Sequence, residues 1–477
     1  MNDYLCVSPS VQELLRMGLA LSTLGMLALS LPAARRFFGS EKYGGYADDG
    51  RFLNILFSPP GRVLFLSVWI ASACWLLADR HTVLASLVCL LCSRFCFVSL
   101  RWKSISRGMG APGFMLYWLA ALVFFLEYTR YHDPSGYLRM LAIFTFKIDF
   151  AVIVLCAGQY KLFSGYPQNN GMELGMVNPW WGKPRSFYRR LTPQHWLFRF
   201  LNHCAYLGEL VFGALLLFPP TSEIGGLLLA ATFVFIFFHL KLGSLCPTVI
   251  VCCFLFCQPG GLVDGLLPSS ATPAATDLTL LNLVLGALLA TYLVLLPFMK
   301  LGTYYNFYGK KRLPEKWQAF QDRWTNLWGI AIWRVFTIDN TNFYVDISVQ
   351  DRATGRRVLY STLSSARFRH VGEFVCLASI FTTLRYFPGD TELFTRRLLR
   401  YARTIPHQPG RQTLIFQWID IRKDRETFHD VPCREFEVDL QTPTIRTTLL
   451  EGGASPTTDP LRYTALVKGQ TVGSYAP

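Results

Sequence analysis

A small set of ionisable side chains sits inside long apolar runs: Arg94, Lys147, Asp149, Lys161, Glu209, His239 and Lys241. A charge in hydrocarbon is costly, so such groups face a bundle interior and mark function more often than charges elsewhere. Lys147 and Asp149 open one run and Lys161 closes it, about 18 Å along a helix rising about 1.5 Å per residue. Lys161 has two readings. It snorkels to the interface, or it is a partly buried amine that serves as a general base. His203, Tyr206 and Glu209 recur every third residue. That spacing puts them on one helical face, which either lines a polar cavity or bonds neighbouring helices. His239 and Lys241 adjoin Gly243, where a broken helix frees backbone groups that need polar partners. His239 is then an acid–base or ligand candidate, or a satisfied interior histidine. No Gly-rich phosphate loop, HExxH pair or nucleophile elbow occurs. Cys89, Cys92 and Cys96 lie in a lipid-type segment without a histidine, a setting for packing rather than metal.

The elements that must hold these groups follow from composition. Hydrophobic types make up 52% of the 477 residues and charged types 16%, against about a quarter charged in soluble domains. The charge is uneven. Residues 1–300 carry the apolar runs, 301–450 read as a soluble α+β domain, and 451–477 lack periodicity and read as a flexible tail. A span needs about 20 apolar residues. The candidates are 11–32, 62–79, 82–100, 112–129, 139–162, 203–218, 226–241, 244–258 and 278–299. Because 226–258 is one bent element or two, the chain reads as an all-α polytopic bundle of eight or nine spans. Under nine spans, loops 1–2, 3–4 and 5–6 hold twelve Lys and Arg residues and the opposite loops three. The positive-inside rule then sets the N-terminus outside and those three loops in the cytoplasm. Nine spans leave the C-terminal domain cytoplasmic; eight leave it outside. The net charge of +15 reads as loops against anionic lipid rather than nucleic-acid binding.

Loop 163–202 carries Trp180-Trp181-Gly182, four prolines and five basic residues. Its length and aromatic content point to a functional segment, and 194–202 reads as interfacial. In the C-terminal domain, 343–350, 412–422, 433–440 and 444–450 alternate as antiparallel strands. Residues 366–384 and 390–404 read as helices, with Asp390 an N-cap.

Ala157-Gly158-Gln159-Tyr160-Lys161-Leu162 resembles a segment of the horizontally transferred transmembrane (HTTM) domain family, which includes vitamin K-dependent γ-carboxylases. There an apolar helix ends in Ala-Gly-x-Lys-Lys-Leu before a Trp-bearing loop, and here Tyr160 replaces the first Lys. The resemblance continues in Glu209, in His239, in Trp333-Arg334-Val335-Phe336 and in Leu399–Arg403. It implies that Lys161 is the catalytic base, and it implies a soluble tail on the luminal side, as eight spans would give.

Two function classes follow. The first is enzyme-like, with a cavity between spans 5, 6 and 7 and Lys161 as base. His239 and Glu209 are its polar partners, and Trp180 and Trp181 form a lid. Tyr206, His203 and Asp149 help to line a site for a quinone-like or lipidic substrate, with a quinone or hydroquinone as the cofactor. The second is a non-enzymatic scaffold or assembly factor docking a protein partner through helices 366–404 of its basic domain. Both place the chain in a membrane of bacterial cell-membrane type, in contact with lipid. A transporter would show an inverted repeat of interrupted helices, which the sequence lacks.

Overall fold

A computed structural model describes residues 3–100, 103–105, 110–261, 279–307, 311, 313–328, 341–360, 372–386 and 391–450. Trp333–Phe336, Asp390 and the tail 451–477 lie outside the described residues. The helices are α1 (Pro9–Ser30), α2 (Arg51–Leu56), α3 (Pro59–Leu77), α4 (Thr82–Arg94), α5 (Gly110–His132), α6 (Tyr137–Phe163) and α7 (Met172–Val177). There follow α8 (Trp196–Leu217), α9 (Ser222–His239), α10 (Leu245–Cys253), α11 (Thr279–Phe307), α12 (Glu315–Trp328), α13 (Gly372–Tyr386) and α14 (Thr391–Ala402). Helix starts are marked locally. Ser8 accepts from the Val11 amide ahead of Pro9, and Ser58 accepts from the Gly61 amide ahead of Pro59. These are serine caps with proline in the first turn, where its missing N–H costs nothing.

Among the described residues eight helices are long and apolar enough to cross a membrane. The described residues nevertheless run the length of the bundle nine times. After α9 the chain turns back through a non-helical stretch, Leu240–Ser244, extended at Leu240 and turning at Gly243–Ser244, followed by the short α10. The stretch begins beside the long loop, where Leu240 bridges Gly182, the Lys241 amide donates to the Trp181 carbonyl (2.7 Å) and the Lys183 amide to the His239 carbonyl (3.0 Å). The pass, α10 included, ends at the far end of α9, where Gln258 Nε2 donates to the Pro219 carbonyl (2.8 Å). The unwound residues thus find backbone partners in the loop, as a non-helical crossing requires. α11 starts at that same far end, with Asn282 Nδ2 donating to the carbonyl of His132 (2.6 Å). It returns to the end that holds loops 1–2, 3–4 and 5–6. The expected eight or nine spans are therefore eight long helices and one discontinuous pass.

Five antiparallel strands follow in the order β2-β1-β3-β4-β5: β1 (Phe343–Asp351), β2 (Arg357–Leu359), β3 (Gln412–Lys423), β4 (Phe428–Asp439) and β5 (Thr444–Leu449). Phe381 of α13 packs on Phe416, Trp418 and Phe436 of the sheet, and Phe394 of α14 packs on Phe436. The domain sits on the basic end of the bundle, and one hydrophobic core runs through both. Arg36 pairs with Glu373 (3.0 Å), Arg185 and Arg189 with Asp430, and Arg400 with Glu41 (3.0 Å) and Asp48. Several loop cations that the sequence assigned to lipid headgroups are thus spent on this domain. α13 and α14, the surface read as a partner-docking face, contribute Glu373 and Arg400 to the contact with the chain's own loops, and Arg403 just after α14 adds to it.

Candidate functional site

Two glycines bring α6 and α8 unusually close. A Cβ on Gly158 would stand 2.9 Å from the Tyr206 carbonyl and the Leu210 amide, and one on Gly213 would stand 3.0 Å from the Leu155 amide. Small residues at such crossings let helix backbones approach where there is no water to drive association. One turn beyond Gly158, Lys161 Nζ donates to Glu209 Oε1 in a short buried ion pair. Lys161 is 5% and Glu209 7% exposed.

Glu209 also lines a narrow apolar crevice between α5, α6, α8, α9 and α10, walled by Met115, Phe150, Val154, Ala157 and Phe233, with a cavity volume of about 10 Å³, room for about one water. Its second oxygen, Oε2, has no hydrogen-bond partner among the described residues. A buried acceptor left unpaired costs about 1–3 kcal/mol. The arrangement is a proton donor–acceptor pair at the edge of an apolar space.

A second polar group connects this region to the soluble domain. Glu173 on α7 is fully buried. It accepts from the Gly171 amide, from Asn202 Nδ2 (2.9 Å) and from Lys423 Nζ (2.7 Å) at the end of β3. Between Glu173 and Glu209 lies Tyr166, whose ring packs close to Gly171. Burial first, then the charges of Glu209 and Glu173, push the Tyr166 phenol well above its ordinary value. It therefore stays a proton donor at neutral pH.

The other sequence-derived residues go elsewhere. His239 Nδ1 bonds the Tyr188 hydroxyl (2.7 Å) and stacks near Phe235, away from Lys161. Trp180 and Trp181 do not line the crevice. They pack against Phe374, and Trp180 also against Phe343, between bundle and sheet domain. Tyr206 is buried one turn before Glu209, but His203 is exposed, its Nδ1 on the Arg199 carbonyl (2.7 Å). The shared-face expectation fails for a geometric reason. Three residues fall about 60° short of a full helical turn, so His203 and Glu209, six apart, diverge by about 120°. Asp149 accepts from Trp118 Nε1 (2.9 Å) and from the Tyr292 hydroxyl, in a separate polar site against α11. Lys147 donates to the Tyr4 carbonyl (2.8 Å), and Lys241 to that of Pro179 (3.1 Å).

Sequence reading missed a charged network at the opposite end of the bundle. Arg16, 4% exposed, pairs with Glu13 and reaches Asp79 (3.4 Å), Arg130 approaches Glu13 (3.6 Å), and Gln12 bridges Glu127 (2.9 Å) and Arg139 (2.7 Å). The available signal was Glu13 and Arg16 one turn apart at the start of an apolar run.

Comparison with protein-family models, with curated proteins and with solved structures gives no match.

Proposed function

We propose that this chain is a multi-pass membrane protein whose Lys161–Glu209 pair exchanges a proton with an apolar substrate, quinone-like or lipidic, that reaches the pair by widening the crevice. The carrying observation is the pair itself, with the unpaired Glu209 oxygen facing apolar walls. The proton of the pair first shifts from Lys161 to Glu209, and the uncharged amine then takes the proton of an acidic O–H or C–H on the substrate, leaving the substrate anion. Glu209 then hydrogen-bonds the resulting ammonium and offsets its burial cost. The resemblance to HTTM domains and γ-carboxylases supports the same role for Lys161 but leaves the substrate open.

A photoreactive azidoquinone added to the chain in lipid vesicles is expected to label α6, α8 or α9 near the crevice. Excess quinone should suppress that labelling. Label confined to the outer surface, or full complementation of a deletion strain by Lys161→Ala, would remove this reading.

The nine passes put the C-terminal domain with the basic loops, and the charge bias puts both in the cytoplasm. A thiol engineered at Glu426 in the exposed β3–β4 turn should resist an impermeant maleimide in intact cells and react after lysis. Labelling in intact cells would invert the orientation.

A further inference from the structure

The amphipathic α12 leaves half of its apolar face uncovered. Trp324 and Trp328 pack towards α11, with the Trp328 ring 5.1 Å from Tyr292. The Tyr117 hydroxyl bonds the Trp328 carbonyl (3.3 Å), and Gln321 Nε2 the Met299 carbonyl (3.3 Å). On a helical wheel, Trp317, Phe320 and Leu327 extend the same apolar arc, Glu315 and Asp322 lie opposite it, and Lys316 and Arg323 flank its edge beside Leu327. Trp317, Phe320 and Leu327 are nevertheless 64%, 41% and 52% exposed.

This bare stripe does not stand alone. It continues the outer surface of α11, where Leu301 is 63% exposed and which the bundle reading assigns to lipid. On the other side α12 packs on the turn Phe95–Ser99, and Phe95 in turn touches Phe52 of α2 (ring centroids 6.1 Å). α2 repeats the pattern in miniature, with Phe52 and Ile55 64% and 67% exposed.

We infer that α12 and α2 lie in the headgroup plane of the bilayer at the basic end, forming a partial collar whose occupant is lipid. Three features favour lipid over a protein partner: continuity with the α11 face, tryptophan at the level where spans meet water, and acidic residues opposite the apolar stripe with Lys316 and Arg323 along its edge, where cations meet headgroups. α12 then works as an anchor that fixes how deep the bundle sits, with the sheet domain held just above the headgroups. The inference needs only that the bundle is membrane-embedded, and it does not depend on the role of Lys161.

The test uses the full chain in vesicles of phosphatidylcholine and phosphatidylglycerol that carry one of two photoreactive phospholipids. One has its diazirine near the glycerol, the other at the acyl-chain end. The shallow probe should label peptides covering 315–328 and 51–56. The deep probe should spare them and label α11 around Leu288, which also reports insertion. A Trp317→Lys/Phe320→Lys variant should lose about tenfold of the 315–328 label while the α11 label persists. The inference is overturned if the wild-type 315–328 peptide is labelled by neither probe, or equally by both. The wild-type comparison decides the question even where the variant fails to fold.

Discussion

Glu209→Ala is expected to destabilise the bundle by about 3–5 kcal/mol, because it strands the buried Lys161 amine without its partner. Lys161→Ala should cost about as much by leaving the carboxylate alone. A Lys161→Met/Glu209→Leu double variant should recover most of the loss, since apolar side chains of similar volume carry no desolvation cost. Unfolding in detergent micelles, followed by helical circular dichroism, measures all three. Single variants that unfold at the wild-type midpoint would mean that the pair is not buried as described. The double variant also separates two roles. It keeps the fold while removing the proton site, so any activity it retains belongs elsewhere.

Trp180→Ala should loosen the sheet domain from the bundle. Trp180 is 1% exposed and lies between Phe374 (ring centroids 6.2 Å, nearly parallel) and Phe343 (5.9 Å). Truncating a tryptophan at such a position costs about 3–5 kcal/mol. Nearby, Asn178 Nδ2 donates to the carbonyls of Thr341 and Phe343, both at 2.8 Å, so the disturbance should spread along the same seam. Amide exchange is the measurement. β1 and β3 should exchange faster while α6 and α8 keep their protection. Equal acceleration in both regions would instead mean that bundle and sheet unfold as one unit.

Much of this architecture is legible in the residues. Long apolar runs must be helices, since backbone groups in hydrocarbon have no other partners, and alternating runs after residue 340 must be strands. The Lys161–Glu209 pair is legible because both groups are out of place in apolar helices. The rest depends on contacts far apart in sequence. Gln12 meets Glu127 across 115 positions, and Lys423 meets Glu173 across 250. No local pattern encodes such pairings. The Trp180-Trp181 pair looked like a lid because aromatic loop residues suit either a ligand or a packed neighbour, and only the position of the sheet domain separates the two. His239 falls to a Tyr188 hydroxyl supplied by the same loop, which spacing alone could not place.

The discontinuous ninth pass has a consequence for biosynthesis. Leu240–Ser244 cannot satisfy its own backbone as a helix would. It leans on Trp181 and Gly182, and Trp180 and Asn178 of that loop lean in turn on the sheet domain. Chain order then imposes an order of maturation. The loop and the unwound residues emerge long before β1 and β3, so the nascent bundle carries an unsealed seam at its basic end until both strands have been made. Lys423, which closes onto Glu173, is among the last of the described residues to be made. A ribosome stalled before that point releases a protein with every long helix in place and its seam still open, a state that quality control would recognise by unpaired backbone and bare tryptophan rather than by a missing span.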